Sequence, residues 1–334
     1  MACATPAGWV TGSAPMRALL RKLGLGRVLY RLYHAPTGML GDTLKAGGPW
    51  QARRTERGSI EMEEAARGLP PPACRGDASP IPVHVLTGRR FWHQTAFCLH
   101  TLSTRAGRPV HPVLYDDGTL PPGETGILKR LFPAARVVAF ADSAARLDAS
   151  LPRGRFPALR ERWDHYPNIR KLVDPHLGSG GWKLVIDSDM LFFREPTFLA
   201  GWCDSPTAPL HAVDVRSSYG YSRPLLDRLA GSPVAELLNV GLCGLESGSL
   251  DWERIERWCA ELVEREGKSY FLEQALVAML LAGRSCSVAP AADYVTMPRP
   301  PEALDCRAVM HHYVAESKRW YFQHNWRRAV PRSA

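Results

Sequence analysis

Between Ile81 and Phe140 the chain reads strand, helix, strand, helix, strand, and that alternation restricts the fold more than any other feature of the sequence. Ile81-Pro-Val-His-Val-Leu-Thr-Gly88 is a strand ending in Thr-Gly, Phe91 to about Ser103 is a helix, and Pro109 to Tyr115 is a second strand that ends in Asp116-Asp117-Gly118. A helix from about Glu124 to Phe132 and a third strand from Arg136 to Phe140 follow. Strands joined through helices pair in parallel, because each crossover returns the chain to the same end of the sheet. The expected class is α/β, a mostly parallel sheet flanked by helices, and such sheets bind ligands beyond the carboxyl ends of their strands.

A fourth strand lies at the centre of the chain. Leu184 to Ile186 is short, apolar on successive positions and reads as buried on both faces, and Asp187 and Asp189 stand at its end. Alternation puts both acids on one side with Ser188 opposite, so both can reach one hard cation such as Mn²⁺ or Mg²⁺. Alone, such a pair is more often turn chemistry, as are Thr87-Gly88 and Asp116-Asp117-Gly118. The three strand ends are expected to line one cleft. Tyr166 to Leu177 is a short helix leading into the central strand, and Arg170 or Lys171 is placed to point from it toward phosphate.

Beyond the centre, His211-Ala-Val-Asp-Val reads as a strand and Leu237 to Glu246 as another, with Asn239 and Gly241 embedded in it. A polar Asn in such a strand needs hydrogen bonds from neighbours or a ligand, and Gly241 lets something approach the backbone closely. Asp251 caps an amphipathic helix running to about Arg265, and Tyr270 to Leu281 forms an apolar helix whose polar residues are Glu273 and Gln274. Near the C-terminus a short strand leads into His311-His312, followed by Lys318 and Trp320. Histidine offers a metal nitrogen, lysine a phosphate counter-charge and tryptophan a wall against solvent.

With 334 residues and 45% apolar side chains, the chain can bury a substantial core, and its formal charge of +9 suits a phosphate-bearing partner. The eight cysteines form no Cys-x-x-Cys pair, which argues for reduced thiols rather than zinc or disulfides. The chain shows no signal peptide, no membrane-spanning run and no glycosylation sequon, and a cytoplasmic location is the expectation. Residues 1–78 read as a basic, helical N-terminal appendage with a Pro-rich linker, and residues 79–334 as the main domain. Within the appendage, Met16 to Tyr33 interleaves leucines with five basic residues and carries no acid. It suits either docking on the main domain or lying on an anionic membrane.

Taken in order, Asp187-Ser-Asp189, Asn239-Val-Gly241, Glu273-Gln274 and His312-Tyr-Val-Ala-Glu-Ser-Lys318-Arg-Trp320 resemble the metal-dependent nucleotide-sugar glycosyltransferases of GT-A fold, most closely glycosyltransferase family 8. That family carries Asp-x-Asp, Asn-x-Gly, an acid-Gln pair and His-x-x-Gly-x-x-Lys-Pro-Trp. Ala315 stands where the family has Gly, and Arg319 where it has Pro. The resemblance covers roughly residues 81–325.

It implies a GT-A nucleotide-binding sheet and a cation, Mn²⁺ or Mg²⁺, on Asp187, Asp189 and His312. The donor would be a nucleotide-diphosphate sugar, a UDP-sugar by preference, with Lys318 and Lys171 on its phosphates and Trp320 beside them. Thr87, Gly88, Asp116 and Asp117 would hold base and ribose, while Asn239, Gly241 and Gln274 would face the sugar. Retention of configuration is the expectation, with Gln274 beneath the anomeric carbon; Glu273 is the candidate base if the reaction inverts. The acceptor is open: carbohydrate, lipid or small molecule. Paired carboxylates at strand ends also suit a nucleotidyltransferase or phosphodiesterase. A nucleic-acid-binding module is disfavoured, since the aromatics are not interleaved with basic residues on a sheet face, and no nucleic-acid partner is expected.

Overall fold

The computed structural model describes residues 47–74 and 78–329. Met16 to Tyr33, read above as docking or membrane-binding, lies outside the described residues.

Seven strands form the main sheet in the order β3-β2-β1-β4-β7-β6-β8. These are β1 (Ile81–Thr87), β2 (Val110–Asp116), β3 (Arg136–Val138), β4 (Trp182–Ile186), β6 (Leu210–Val213), β7 (Leu238–Glu246) and β8 (Ser287–Val288). β1 pairs in parallel with β2 and β4, and β2 with β3, as the strand–helix alternation requires. β7 runs against both β4 and β6 and is the reversed strand of the sheet. The third strand is shorter than the sequence suggests: Phe140 opens the helix Phe140–Ser150, where its ring meets Trp163 at 5.0 Å.

A smaller sheet of three strands stands beside the first, in the order β5-β10-β9, with β5 (Met190–Phe192), β9 (Tyr294–Thr296) and β10 (Met310–His312). β10 runs antiparallel to β5, with His312 opposite Met190, and parallel to β9.

Period-two alternation sends neighbouring side chains to different cores. On β4, Leu184 and Ile186 join the cluster built around the helix Trp92–Ala106. On β7, Cys243 and Leu245 join the cluster formed with the helices Ile169–His176, Trp252–Glu266 and Leu272–Leu281. Asp251 caps the second of these as expected, accepting from the Arg254 amide at 3.1 Å. The described cysteines are all free thiols, and no helix among the described residues is long and apolar enough to cross a membrane.

The compact unit begins at Thr55, well before residue 79. Met62, Ala66 and Leu69 are buried in the same core as Trp92 and Phe97, so the end of the helix Pro49–Arg67 packs into that core. Apolar residues at helical spacing cause this, and Gly58 permits it: a Cβ there would stand 2.1 Å from the Phe322 carbonyl oxygen. Gly58→Ala is therefore expected to cost about 2 kcal/mol through overpacking. Gly126→Ala, also helical but with open space around the added carbon, is expected to be neutral or to stabilise by about 0.5 kcal/mol. Urea midpoints measure both, and equal midpoints for the two variants would contradict this packing.

Candidate active site

The chain leaves the main sheet at Ile186 and enters the small sheet at Met190, and the two acids lie on that crossing. Two backbone hydrogen bonds hold it. The Asp187 amide donates to the Gly241 carbonyl at 2.7 Å, and the Tyr313 amide donates to the Asp189 carbonyl at 2.8 Å. The second bond extends the β5–β10 ladder and brings His312 beside the acids, more than a hundred residues along the chain.

His312 Nε2 lies 3.2 Å from Asp189 Oδ1 and 3.5 Å from Asp187 Oδ2. Neither imidazole nitrogen has a hydrogen bond of acceptable geometry, although the ring is buried. One ligand atom from each of Asp187, Asp189 and His312 can be chosen so that all lie within 4.8 Å of one another. Two carboxylates and an imidazole with an unsatisfied nitrogen form a donor set that fits Mn²⁺ or Mg²⁺, ions that take their remaining ligands from water or phosphate. Asp187 keeps 25% of its side chain exposed, so the set opens toward solvent.

Two lysines complete the electrostatics. Lys171 Nζ, from the helix Ile169–His176, lies 2.8 Å from Asp187 Oδ1 and 3.3 Å from Glu273 Oε2. Lys318 Nζ is 3.1 Å from Asp189 Oδ2. Burial alone would raise the Asp187 and Asp189 carboxyls, but the ammonium groups of Lys171 and Lys318, with His312, outweigh it and hold both below the usual carboxylate range. Burial likewise opposes charge on Lys171, whose pKa Asp187 and Glu273 nevertheless hold up. Glu273 differs: burial dominates, the Asp187 charge adds to it, and the carboxyl is pushed up to about 7 against the pull of Lys171. Arg170, the alternative considered from sequence, faces inward, bonded to Asp174 Oδ2 and to the Asp116 carbonyl, both at 2.8 Å.

Asp187, Asp189, Lys171 and Lys318 stand where two clefts adjoin. The smaller, of about 170 Å³, is walled by Leu86, Thr87, Phe91 and Asp117. The larger, of about 350 Å³, is walled by Asn239, Gly241, Glu273, Gln274 and His312. Tyr270 lines both.

Most residues singled out from sequence converge here; besides Arg170, three do other work. Asp116 Oδ1 accepts from the amides of Gly118, Thr119 and Leu120, closing the turn after β2. Gly88 makes room: a Cβ there would stand 2.1 Å from the Asp117 carboxylate. Trp320 lines neither cleft; it packs on the edge of the core and stacks on His324. Thr87 Oγ1 shares a hydrogen bond of 2.8 Å with Thr95 Oγ1.

Asp214 was not anticipated. It follows β6 and accepts through Oδ2 from both Asn239 Nδ2 and Gln274 Nε2 at 3.2 Å, while Gln274 Nε2 also donates to the Ser218 carbonyl at 2.9 Å. One carboxylate thus orients both amides. The available signal was its position, an acid at the end of a strand like Asp187.

Gly241 earns its place by contact. A Cβ would stand 2.2 Å from His312 Cε1 and 2.9 Å from Asn239 Oδ1. Gly241→Ala is expected to push the imidazole away from the acids and weaken Mn²⁺ binding at least about tenfold, the scale of disturbing a group that orients a metal ligand. Paramagnetic resonance of free Mn²⁺ reads this, and unchanged affinity would show that the ring has room to move. Ala315 holds φ +48° and lines the larger cleft. The backbone keeps the left-handed conformation that glycine adopts freely, and here an alanine takes it at a strain of about 1 kcal/mol.

No protein-family model and no curated protein matches the sequence. Among solved structures, the apo form of mouse xyloside xylosyltransferase 1 is similar at 10% identity with a TM-score of 0.49, over 72% of this chain and 99% of that one. The galactosyltransferase LgtC, in complex with donor and acceptor sugar analogues, is similar at 11% identity with a TM-score of 0.48, over 75% of this chain and 100% of that one. The apo bifunctional glycosyltransferase WbbM is similar at 13% identity with a TM-score of 0.46, over 73% and 47% of the two chains.

Proposed function

We propose that the protein is a glycosyltransferase that moves a sugar from a nucleotide-diphosphate sugar, a UDP-sugar by preference, to an acceptor hydroxyl, using Mn²⁺ or Mg²⁺. The observation that carries the reading is the convergence of Asp187, Asp189 and His312 on one point between two clefts. When bound there, the cation neutralises the negative charge that a diphosphate gains as it leaves. Lys318 adds a second positive charge, at a lip of the site where its side chain stays 37% exposed.

The smaller cleft suits base and ribose, with Thr87, Phe91 and Asp117 on its walls. The larger suits the sugar, with the amides of Asn239 and Gln274 held by Asp214 as fixed hydrogen-bond partners. Fixed partners lower the cost of ordering at the reacting centre. Retention of configuration fits the state of Glu273. An inverting reaction needs a carboxylate within reach of the acceptor hydroxyl, whereas Glu273 is buried with Oε2 turned to Lys171 Nζ at 3.3 Å.

Hydrolysis of a panel of UDP- and GDP-sugars, with and without Mn²⁺, tests the proposal. Metal-dependent release of UDP or GDP is expected from at least one donor. Failure to bind or hydrolyse any of them, with turnover of nucleoside triphosphates instead, would replace it by a nucleotidyltransferase.

A further inference from the structure

Away from the clefts, toward the start of β3 and β4, positive charge gathers without a carboxylate to meet it. Arg136, Val113, His84 and Val185 stand in one row across β3, β2, β1 and β4. Side chains alternate along each strand, so Arg136, His84 and Lys183, the last two residues before Val185 on β4, share one face of the sheet. The helix Phe140–Ser150 brings Arg146 to the same region, where a Cβ on Gly178 would stand 3.9 Å from Arg146 Cδ. None of these side chains lines either cleft, and Lys183 lies about 13 Å along an extended strand from Asp187.

None of the three cations forms an ion pair among the described residues. The guanidinium of Arg136 is exposed and makes no hydrogen bond there, Lys183 Nζ reaches the Gly180 carbonyl at 2.8 Å, and Arg146 Nη2 is buried with no partner. Asp174, whose carboxyl feels Arg146, is already paired with Arg170 at 2.8 Å. The unmatched charge acts on the groups packed beside it. His84, with Nδ1 3.1 Å from the Tyr115 hydroxyl, is held neutral by burial and then by Lys183 and Arg136. Lys183 itself is lowered by burial and then by Arg136. Between the helix Ile169–His176 and β4 runs the turn Gly178-Ser-Gly-Gly181, and the amides of Gly178, Gly180 and Gly181 donate to no protein acceptor among the described residues.

Like charges without counter-charges oppose the compact state, and cations beside the free amides of a glycine-rich turn form a concavity suited to an anion. We propose that Arg136, Arg146, Lys183 and the Gly178–Gly181 turn form a binding site for a phosphate dianion, either inorganic phosphate or the end of a monoester. Guanidinium groups take phosphate oxygens two at a time, the ammonium adds a point charge, and glycine lets the anion approach the backbone closely. The cations gather at one place rather than along a groove, so the unit recognised is a single phosphate and not a nucleic-acid backbone. This site stands apart from the glycosyltransferase reading and survives its failure.

Calorimetric titration of the full-length protein with sodium phosphate and with glycerol 3-phosphate, in the absence of divalent cation, tests the proposal. A pH of about 7.5 keeps the phosphate a dianion, and about 0.15 M sodium chloride screens exposed charges. Binding of one equivalent is expected, weakened about tenfold in Arg136→Ala and in Lys183→Gln, the scale of one charge-assisted hydrogen bond. Arg136 is exposed at the start of an edge strand, so its variant gives a reading even if Lys183→Gln does not fold. Lys318→Ala, which removes a cation of the catalytic clefts, leaves the affinity unchanged. Flotation with phosphatidic acid vesicles, whose headgroup is the same monoester, separates the sources. Binding in solution assigns a soluble phosphate, whereas binding to vesicles alone, lost in the same two variants, keeps the site and assigns its phosphate to a lipid. Affinity unchanged in both variants, loss in Lys318→Ala instead, or no binding to any probe overturns the site.

Discussion

Alanine at Asp187, Asp189 or His312 is expected to lower metal-dependent sugar transfer about a thousandfold, equivalent to about 4 kcal/mol of transition-state stabilisation. The three candidate ligand atoms lie within 4.8 Å of one another, so removing any one would leave two donors for the cation of the proposed mechanism. The loss should come from metal affinity rather than from the fold. Asp187 and Asp189 lie on the crossing between the two sheets, and its hydrogen bonds are made by backbone groups of Asp187, Gly241, Asp189 and Tyr313. Calorimetric titration of UDP with Mn²⁺ present, beside urea unfolding of each variant, separates the two causes. Unchanged Mn²⁺-dependent UDP binding in all three variants would remove the metal site from the mechanism.

The second large effect is on stability, and it comes from buried histidines other than His312. Burial pushes His84 and His176 down to about 3 and His93 down to about 4. In the unfolded chain these groups protonate near 6.5, so the unfolded state binds more protons below that pH. Their stabilisation is complete above pH 6.5 and is lost as pH falls toward 4, at about 1.4 kcal/mol per pH unit for each. Glu273, raised to about 7, works in the opposite direction over part of the window. These three groups against Glu273 amount to a loss of about 3 kcal/mol per pH unit, and His311, which burial also pushes down to about 4, adds to it. The urea midpoint should therefore fall sharply between pH 6.5 and pH 5, and His93→Leu should flatten that fall, since both nitrogens of His93 are buried without a partner. Equal midpoints at pH 7 and pH 5 would show that these histidines are not held neutral.

Local patterns in the sequence carried a good part of both fold and site. β1, β2 and β4 are where apolar runs end in polar turns, and Asp187, Asp189, His312 and Lys318 come together. What local patterns missed shares one cause, that the partner is distant along the chain. Trp320 has the right spacing from His312, yet its ring finds His324 and the core edge instead of a cleft. Asp116 and Asp117 look alike in sequence; three neighbouring amides take the first, and the second lines the smaller cleft. The helix ending at Arg67 stands just before the Pro-rich stretch that reads as a linker, and its buried residues Met62 and Ala66 belong to the main core.

The sequence by itself determined the parallel α/β class and the inventory of charged groups, because alternation of strands with helices and residue type are local properties. The tertiary structure decided that β7 runs in reverse, that a second sheet exists, and that its β5–β10 ladder carries His312 to Asp189. It also decided that Lys171 joins Asp187 to Glu273 and that Asp214 orients Asn239 and Gln274. Those outcomes depend on distances between residues far apart in the chain, and such distances are set only when the sheets pair and the cores pack.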